Sequence, residues 1–314
     1  MKKILSFCIV ALFVLPGMAQ NSANLKMNLE KNKVYRFKSS SEQTVVQSVN
    51  GNQQTVETKS DNAISLKMID FTPTLLVAEV RIDTMRTSGN STGKPATMTS
   101  AVEGNIKSAE TTDIISCIMN RMSKAPVYVK MDYAGKPSEI VNSAMLSSII
   151  LKDTSSITLT GVKASAVKKQ ISEMISDNSL KTLIGSFTNV LPAKEVAVGE
   201  TWVKTDNLNS GGMALEITTT FKLDGISGNS ANVTAVSEIR PAANATPIQS
   251  GAATVTYDSL SGMTKSSLVI DTKTGLVTEE KAKTHISGNL GISGPGFSMQ
   301  MPMDINGTSN IVAY

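Results

Sequence analysis

The sequence predicts an α+β fold dominated by antiparallel sheet, in two similar curved β units with packed helices, joined by a helical middle segment. Three observations carry this. Apolar and polar residues alternate over long stretches at both ends of the chain. A period near 3.6 appears only around 109–123 and between 143 and 191. Several short segments of the first β region also recur in the same order in the second.

Residues 1–19 form a separate element. Met1-Lys2-Lys3 is basic, Ile4 to Leu15 is apolar apart from Ser6, and Gly17 and Ala19 are the small residues of a cleavage site. That pattern is a Sec-type signal peptide cut after Ala19, and its apolar run is shorter than the roughly 20 residues a membrane span needs. The chain is therefore expected to be exported, periplasmic or extracellular, and to start at Gln20. Cys8 sits within the apolar run rather than after the cleavage point, so no lipid anchor is expected.

From Lys33 to Thr87 the alternation is that of strands. Tyr35 and Phe37 share one face, Asn50-Gly51 marks a hairpin, and Ile64, Leu66 and Met68 point to a core. Ser88 to Ser100, rich in Ser, Thr and Gly, reads as a loop. Ile114, Ile115, Ile118, Met119 and Met122 line one side of a helix over 109–123, which Pro126 ends before a strand through Val127, Val129 and Met131. In the middle, Val167, Ile171, Met174 and Ile175 form one helical stripe. Ser179 reads as the cap of a second, with Leu180, Leu183, Ile184 and Phe187 on its face. Strands return at Glu216–Leu223, Ala231–Ile239, Ser266–Ile270 and Val277–Ile286.

The β regions look alike. Ile64 to Ile69 is echoed by Thr219 to Asp224, Leu76 to Val80 by Ala231 to Ala235, and Val129 to Gly135 by Val269 to Gly275. The expected organisation is a first unit over 20–142, a helical connector over 143–191 and a second unit over 192–314. A tandem duplication would place Tyr35 and Trp202 at equivalent positions.

Leu191-Pro192-Ala193-Lys194-Glu195-Val196-Ala197-Val198-Gly199-Glu200-Thr201-Trp202 follows an amphipathic helix and precedes an Asp-Thr-Lys-Thr-Gly turn at 271–275. In this the chain resembles an uncharacterised family of exported proteins of Gram-negative bacteria, over most of its length. Members of that family carry no assigned activity, so the resemblance implies location and architecture rather than chemistry. The layout is also similar to periplasmic lipoprotein carriers, in which a curved antiparallel sheet wraps around helices.

Composition excludes several functions. Removing residues 1–19 lowers the formal charge from +4 to +2, too little basic surface for nucleic acid. Cys117 then stands alone, within an apolar helical stretch, and reads as a buried inert thiol. His285 is the only histidine and lies in an alternating strand, with no nucleophile motif near it. His285 and Cys117 together fall short of a zinc site, and no cofactor is expected. Carboxylates such as Glu30, Glu279 and Glu280 remain available for acid–base work. The single Trp, Trp202, reads as a core anchor.

Phe297, Met299, Met301 and Met303 alternate along one strand face. They read as core, as an adaptable lining for a lipid-like ligand, or as a soft-metal patch. The metal reading meets a geometric objection, since alternate Cα atoms on a strand lie about 6.6 Å apart. The function expected is a non-enzymatic envelope protein holding a hydrophobic or lipid-like ligand in a sheet concavity. The alternatives are a structural or adhesive protein and a hydrolase using converging carboxylates.

Overall fold

The computed structural model describes residues 21–49, 51–91, 94–210, 213–243, 245–250, 253–257 and 259–314. The expected signal peptide, and Asn50 of the expected hairpin, lie outside the described residues. In chain order the first half contains β1 (Ser22–Leu25), β2 (Val34–Val49), β3 (Asn52–Phe71), β4 (Leu76–Ser91), β5 (Lys94–Thr99), α1 (Thr111–Lys124), β6 (Val127–Met131) and β7 (Pro137–Ile140). Three helices follow: α2 (Ser143–Ile150), α3 (Gly161–Met174) and α4 (Asp177–Thr188). The second half contains β8 (Lys194–Ala197), β9 (Thr201–Ser210), β10 (Met213–Ser227), β11 (Ser230–Pro241), β12 (Ile248–Ser250), β13 (Ala253–Tyr257), β14 (Ser261–Asp271), β15 (Val277–Gly294) and β16 (Phe297–Ala313).

The fold is mainly antiparallel β, as the alternation predicts. One open sheet runs β7-β6-β4-β3-β2-β16-β15-β14-β11-β10-β9, with β5 added to β4 and β13 to β15, while β1 and β8 pair separately. Tyr35 lies on β2, which starts the meander β2-β3-β4-β6-β7. Trp202 lies on β9, which starts the meander β9-β10-β11-β14-β15. The last strand, β16, joins the two by pairing with both β15 and β2.

Two hairpin turns occupy corresponding places, each closed by a left-handed glycine: Gly135 at φ 81° after β6 and Gly275 at φ 75° after β14. The segment after β1 laces them together. The Met27 N–H donates to Tyr133 O at 2.8 Å, and the Asn28 N–H donates to Thr274 O at 2.9 Å.

One apolar core serves both halves. It gathers Phe37, Leu66 and Val80 from the first meander, Ile114 and Ile118 from α1, Leu180, Ile184 and Phe187 from α4, and Trp202, Phe221, Leu223 and Ile270 from the second. Ile140 at one end of the sheet and Trp202 at the other both belong to it, so the sheet bends around the helices. Each fully buried Leu, Ile or Phe contributes roughly 2 kcal/mol of transfer free energy, and this outweighs the weak helix-forming tendency of short helices such as α4.

Three local readings are corrected. Residues 88–99 are mostly strand: Thr87, Ser88 and Gly89 on β4 pair with Met98, Thr97 and Ala96 on β5. The cap of α4 is Ser176, whose Oγ accepts from the Ser179 N–H at 3.2 Å, so Ser179 lies inside the helix. The 109–123 helix begins two residues later than expected, at Thr111.

Candidate functional site

Cross-strand register sorts the helix-packed face into bands, because residues directly opposite each other share a face. Nearest the helices the band is apolar core. Beyond it runs a band of small and hydroxylic residues in which Thr219, Ser237, Thr264, Thr284, Gly307 and Gln43 stand in line. Its hydroxyls satisfy one another: Thr219 with Ser237 at 2.8 Å and Thr264 with Thr284 at 2.8 Å. The next band is apolar again. Ile217 faces Ile239, which faces Gly262, then Ile286, Ile305, Val45 and Val56 in one unbroken row from β10 to β3.

Ile239 and Ile305 in this row are buried, yet neither belongs to the helix-packed core. Ile239 instead forms a second cluster with Leu215 and Leu260, against which Leu208, Met213, Ile217, Tyr257 and Ile286 pack. Gly262 has a structural reason. A Cβ there would meet Ile286 Cγ1 at 2.5 Å, so the missing side chain gives the isoleucine its space.

The predicted site residues continue this face towards the far rim. Met303 stands opposite Gly288, Met301 opposite buried Leu290, and Met299 opposite Ile292, which faces Val255 on β13. The three methionines are half-buried, and Phe297 is 49% exposed at the rim. All four lie outside the helix-packed core.

A polar cluster that sequence reasoning missed sits at the sheet edge. Lys204 Nζ on β9 donates to Asn189 Oδ1 at 2.6 Å and to Ala134 O at 3.3 Å. Asp206 accepts from Asn189 Nδ2 at 3.1 Å and lies 3.8 Å from Lys136 Nζ. Burial pushes the Lys204 ammonium down to about 8, against the opposing pull of Asp132 and Asp206. No sequence signal marks it, since its partners lie 15 and 70 residues away.

The other candidates separate. Glu279 and Glu280 are neighbours on β15 and so project to opposite faces, which prevents this pair from converging on a substrate. Glu279 pairs with Lys281, and Glu30 with Lys33 at 2.5 Å. Burial raises the Glu280 carboxyl above its ordinary value, with Ser266 opposing. His285 is exposed and its Nδ1 lies 3.0 Å from Asn306 Oδ1. Cys117 is buried in α1. Trp202 is buried, stacks on Phe221 at 5.3 Å and donates its Nε1–H to Val190 O at 2.9 Å. Among the described residues no group of three or more His, Cys, Asp and Glu is placed to hold a metal, and no helix is long and apolar enough to cross a membrane.

Among the described residues, two recesses on the sheet stand out. One, of about 440 Å³, is lined by Lys265, Ser266, Ser267, Lys281, Ala282, Lys283, Thr308 and Ser309. The other, of about 400 Å³, lies among Lys38, Asp61, Asn62 and Asn310, whose buried Oδ1 has no hydrogen-bond partner. Most of the residues lining both are polar, with lysines Lys265, Lys281 and Lys283 in the first and Lys38 beside Asp61 in the second, and none of the four predicted residues borders either.

Comparison with known proteins gives a family but no activity. The model of a family of unknown function, DUF6263, matches residues 74–277. No curated protein matches the chain. Among solved structures, one described as showing lipid–protein interactions in lipovitellin is similar at 10% identity and a TM-score of 0.49, over 91% of this chain and 25% of that one. This chain thus spans about a quarter of that protein's length. An outer membrane channel from Pseudomonas putida F1 is similar at 7% identity and a TM-score of 0.20, covering 92% of this chain and 97% of that one. A DUF1329 family protein from Desulfovibrio piger gives 7% identity and a TM-score of 0.11, over 86% and 83% of the two chains. Likenesses this shallow carry no argument about function.

Proposed function

This chain belongs to DUF6263, a family of unknown function, and on that premise we propose that it is a non-enzymatic, exported envelope protein binding a hydrophobic or lipid-like ligand along the helix-packed face of its sheet. The observation that carries the reading is the apolar row from Ile217 to Val56, set apart from the helix-packed core by a band of hydroxyls. The chain itself covers Ile239 and Ile305, but Ile217, Ile286, Val45 and Val56 keep part of their apolar surface open, and a row of such surface suits an apolar ligand. Seven strands spaced about 4.8 Å apart make the row about 29 Å long, enough for an extended acyl chain. Phe297, Met299, Met301 and Met303 extend the same surface, and unbranched methionines suit a ligand of variable shape.

Affinity would come from the chain's methylenes at about 0.8 kcal/mol each, less the cost of ordering the ligand. Native mass spectrometry of protein purified from its own host's envelope tests this. The expected spectrum carries an adduct that an organic extraction releases as a lipid or other apolar molecule. A spectrum of bare protein, with nothing apolar in the extract, contradicts the reading.

A further inference from the structure

Six cross-strand neighbours in the described registers are charged on both sides. Five join opposite signs: Glu42 with Lys59, Asp61 with Arg86, Lys67 with Glu79, Lys130 with Glu139, and Glu216 with Arg240. The sixth sets Lys265 on β14 directly opposite Lys283 on β15. Like charges in that arrangement repel and destabilise the ladder. The sheet avoids the arrangement everywhere else among the described residues.

Among the described residues no ion pair neutralises the two lysines. Among the described residues neither lysine has a carboxylate partner: Glu279 is taken by Lys281, and Glu42, in register with Thr308, is held by Lys59 at 2.7 Å. Both lysines are exposed, on the face away from the helices, since they alternate with Leu268 and Ala282, which are buried. The same two residues line the 440 Å³ recess, together with Lys281, Ser267 and Thr308.

We propose that this recess is an anion site that takes a phosphate group, with Lys265 and Lys283 as its clamp and Lys281, Ser267 and Thr308 at its margin. A phosphate between two ammonium groups turns their repulsion into two charge-assisted contacts, and lysine serves such groups as a point charge. The recess has room for the group and hydroxyls to complete its hydrogen bonds. The site is on the opposite face from the apolar row and stands independently of it. The phosphate has two candidate sources, a lipid headgroup and a free phosphate, and the same chemistry recognises both.

The test uses calorimetric titration of inorganic phosphate, and flotation with phosphatidylcholine vesicles containing phosphatidic acid. Both are run on the wild type, Lys265→Gln, Lys283→Gln and the control Lys222→Gln, which alters a lysine of the same face two strands away. The wild type should bind, each recess variant should weaken binding roughly tenfold or more, and the control should not. Loss seen with both probes identifies phosphate in any form as the ligand, while loss seen only with vesicles assigns the site to a lipid headgroup. Without phosphate, the two recess variants should melt at a higher temperature than the wild type. The proposal is overturned if the wild type binds neither probe, if Lys222→Gln loses as much, or if neither recess variant melts higher.

Discussion

Lys204 and Asn189 are joined by a 2.6 Å hydrogen bond that fastens the edge strand β9 to the end of α4. The same ammonium reaches Ala134 O in the turn between β6 and β7, near the opposite edge of the sheet. Asp206, Asn189 and Lys136 complete the clasp. It holds the two ends of an open sheet close together around the helices, as the shared core requires.

The clasp makes stability depend on pH in the alkaline range. In the unfolded chain Lys204 keeps its proton up to about 10.5, and in the folded protein burial lowers that value to about 8. Between those values the unfolded state binds more protons, so this residue makes stability rise with pH there. Below about 8 the full penalty of a buried ammonium is present. Urea midpoints measured from pH 7 to 10.5 should therefore rise for the wild type relative to Lys204→Met. A constant difference between the two proteins across that range contradicts the assignment.

The two corresponding turns tolerate no side chain at their glycines. A Cβ on Gly135 would collide with Thr188 O, and one on Gly275 with Lys26 O, and both positions are left-handed. Gly228 is also left-handed, at φ 58°, but has open space around it. Thermal unfolding should show Gly135→Ala and Gly275→Ala losing at least about 2 kcal/mol, against about 1 kcal/mol for Gly228→Ala. Equal losses at all three would mean that the turns are not packed as described.

The sequence makes visible whatever depends on local periodicity. Ile64, Leu66 and Met68 alternate and are buried on β3, and Leu180, Ile184 and Phe187 recur at helical spacing and are buried on α4. It hides strands whose composition resembles a loop: Ser88 and Gly89 on β4 are held by Lys59 and Thr58 of β3, and β4 in turn templates Thr97 and Ala96 of β5, whatever their own preference. Register is hidden too. Nothing local shows that Ile286 faces Ile305, that Lys265 faces Lys283, or that the hydroxyls of β10, β11 and β14 align into a band. Long-range partners such as Lys204 and Ala134 are equally beyond local reading, whereas the recurring segments of the sequence already suggest a correspondence between the two meanders. We propose that this correspondence reflects a tandem duplication of the 20–142 and 192–314 units.

Binding along the apolar face can be probed at its methionine end by Met301→Asp. Met301 is half-buried opposite Leu290 and lies outside the helix-packed core, so a carboxylate there spoils the surface without emptying the core. A fluorescent fatty-acid analogue should be titrated into wild type and variant while the melting temperature of each is recorded. The wild type should bind, and the variant, still folded and melting within about 5 °C of it, should bind at least roughly tenfold more weakly. A wild type that does not bind, a variant that binds equally well, or a variant that simply unfolds contradicts the proposed binding.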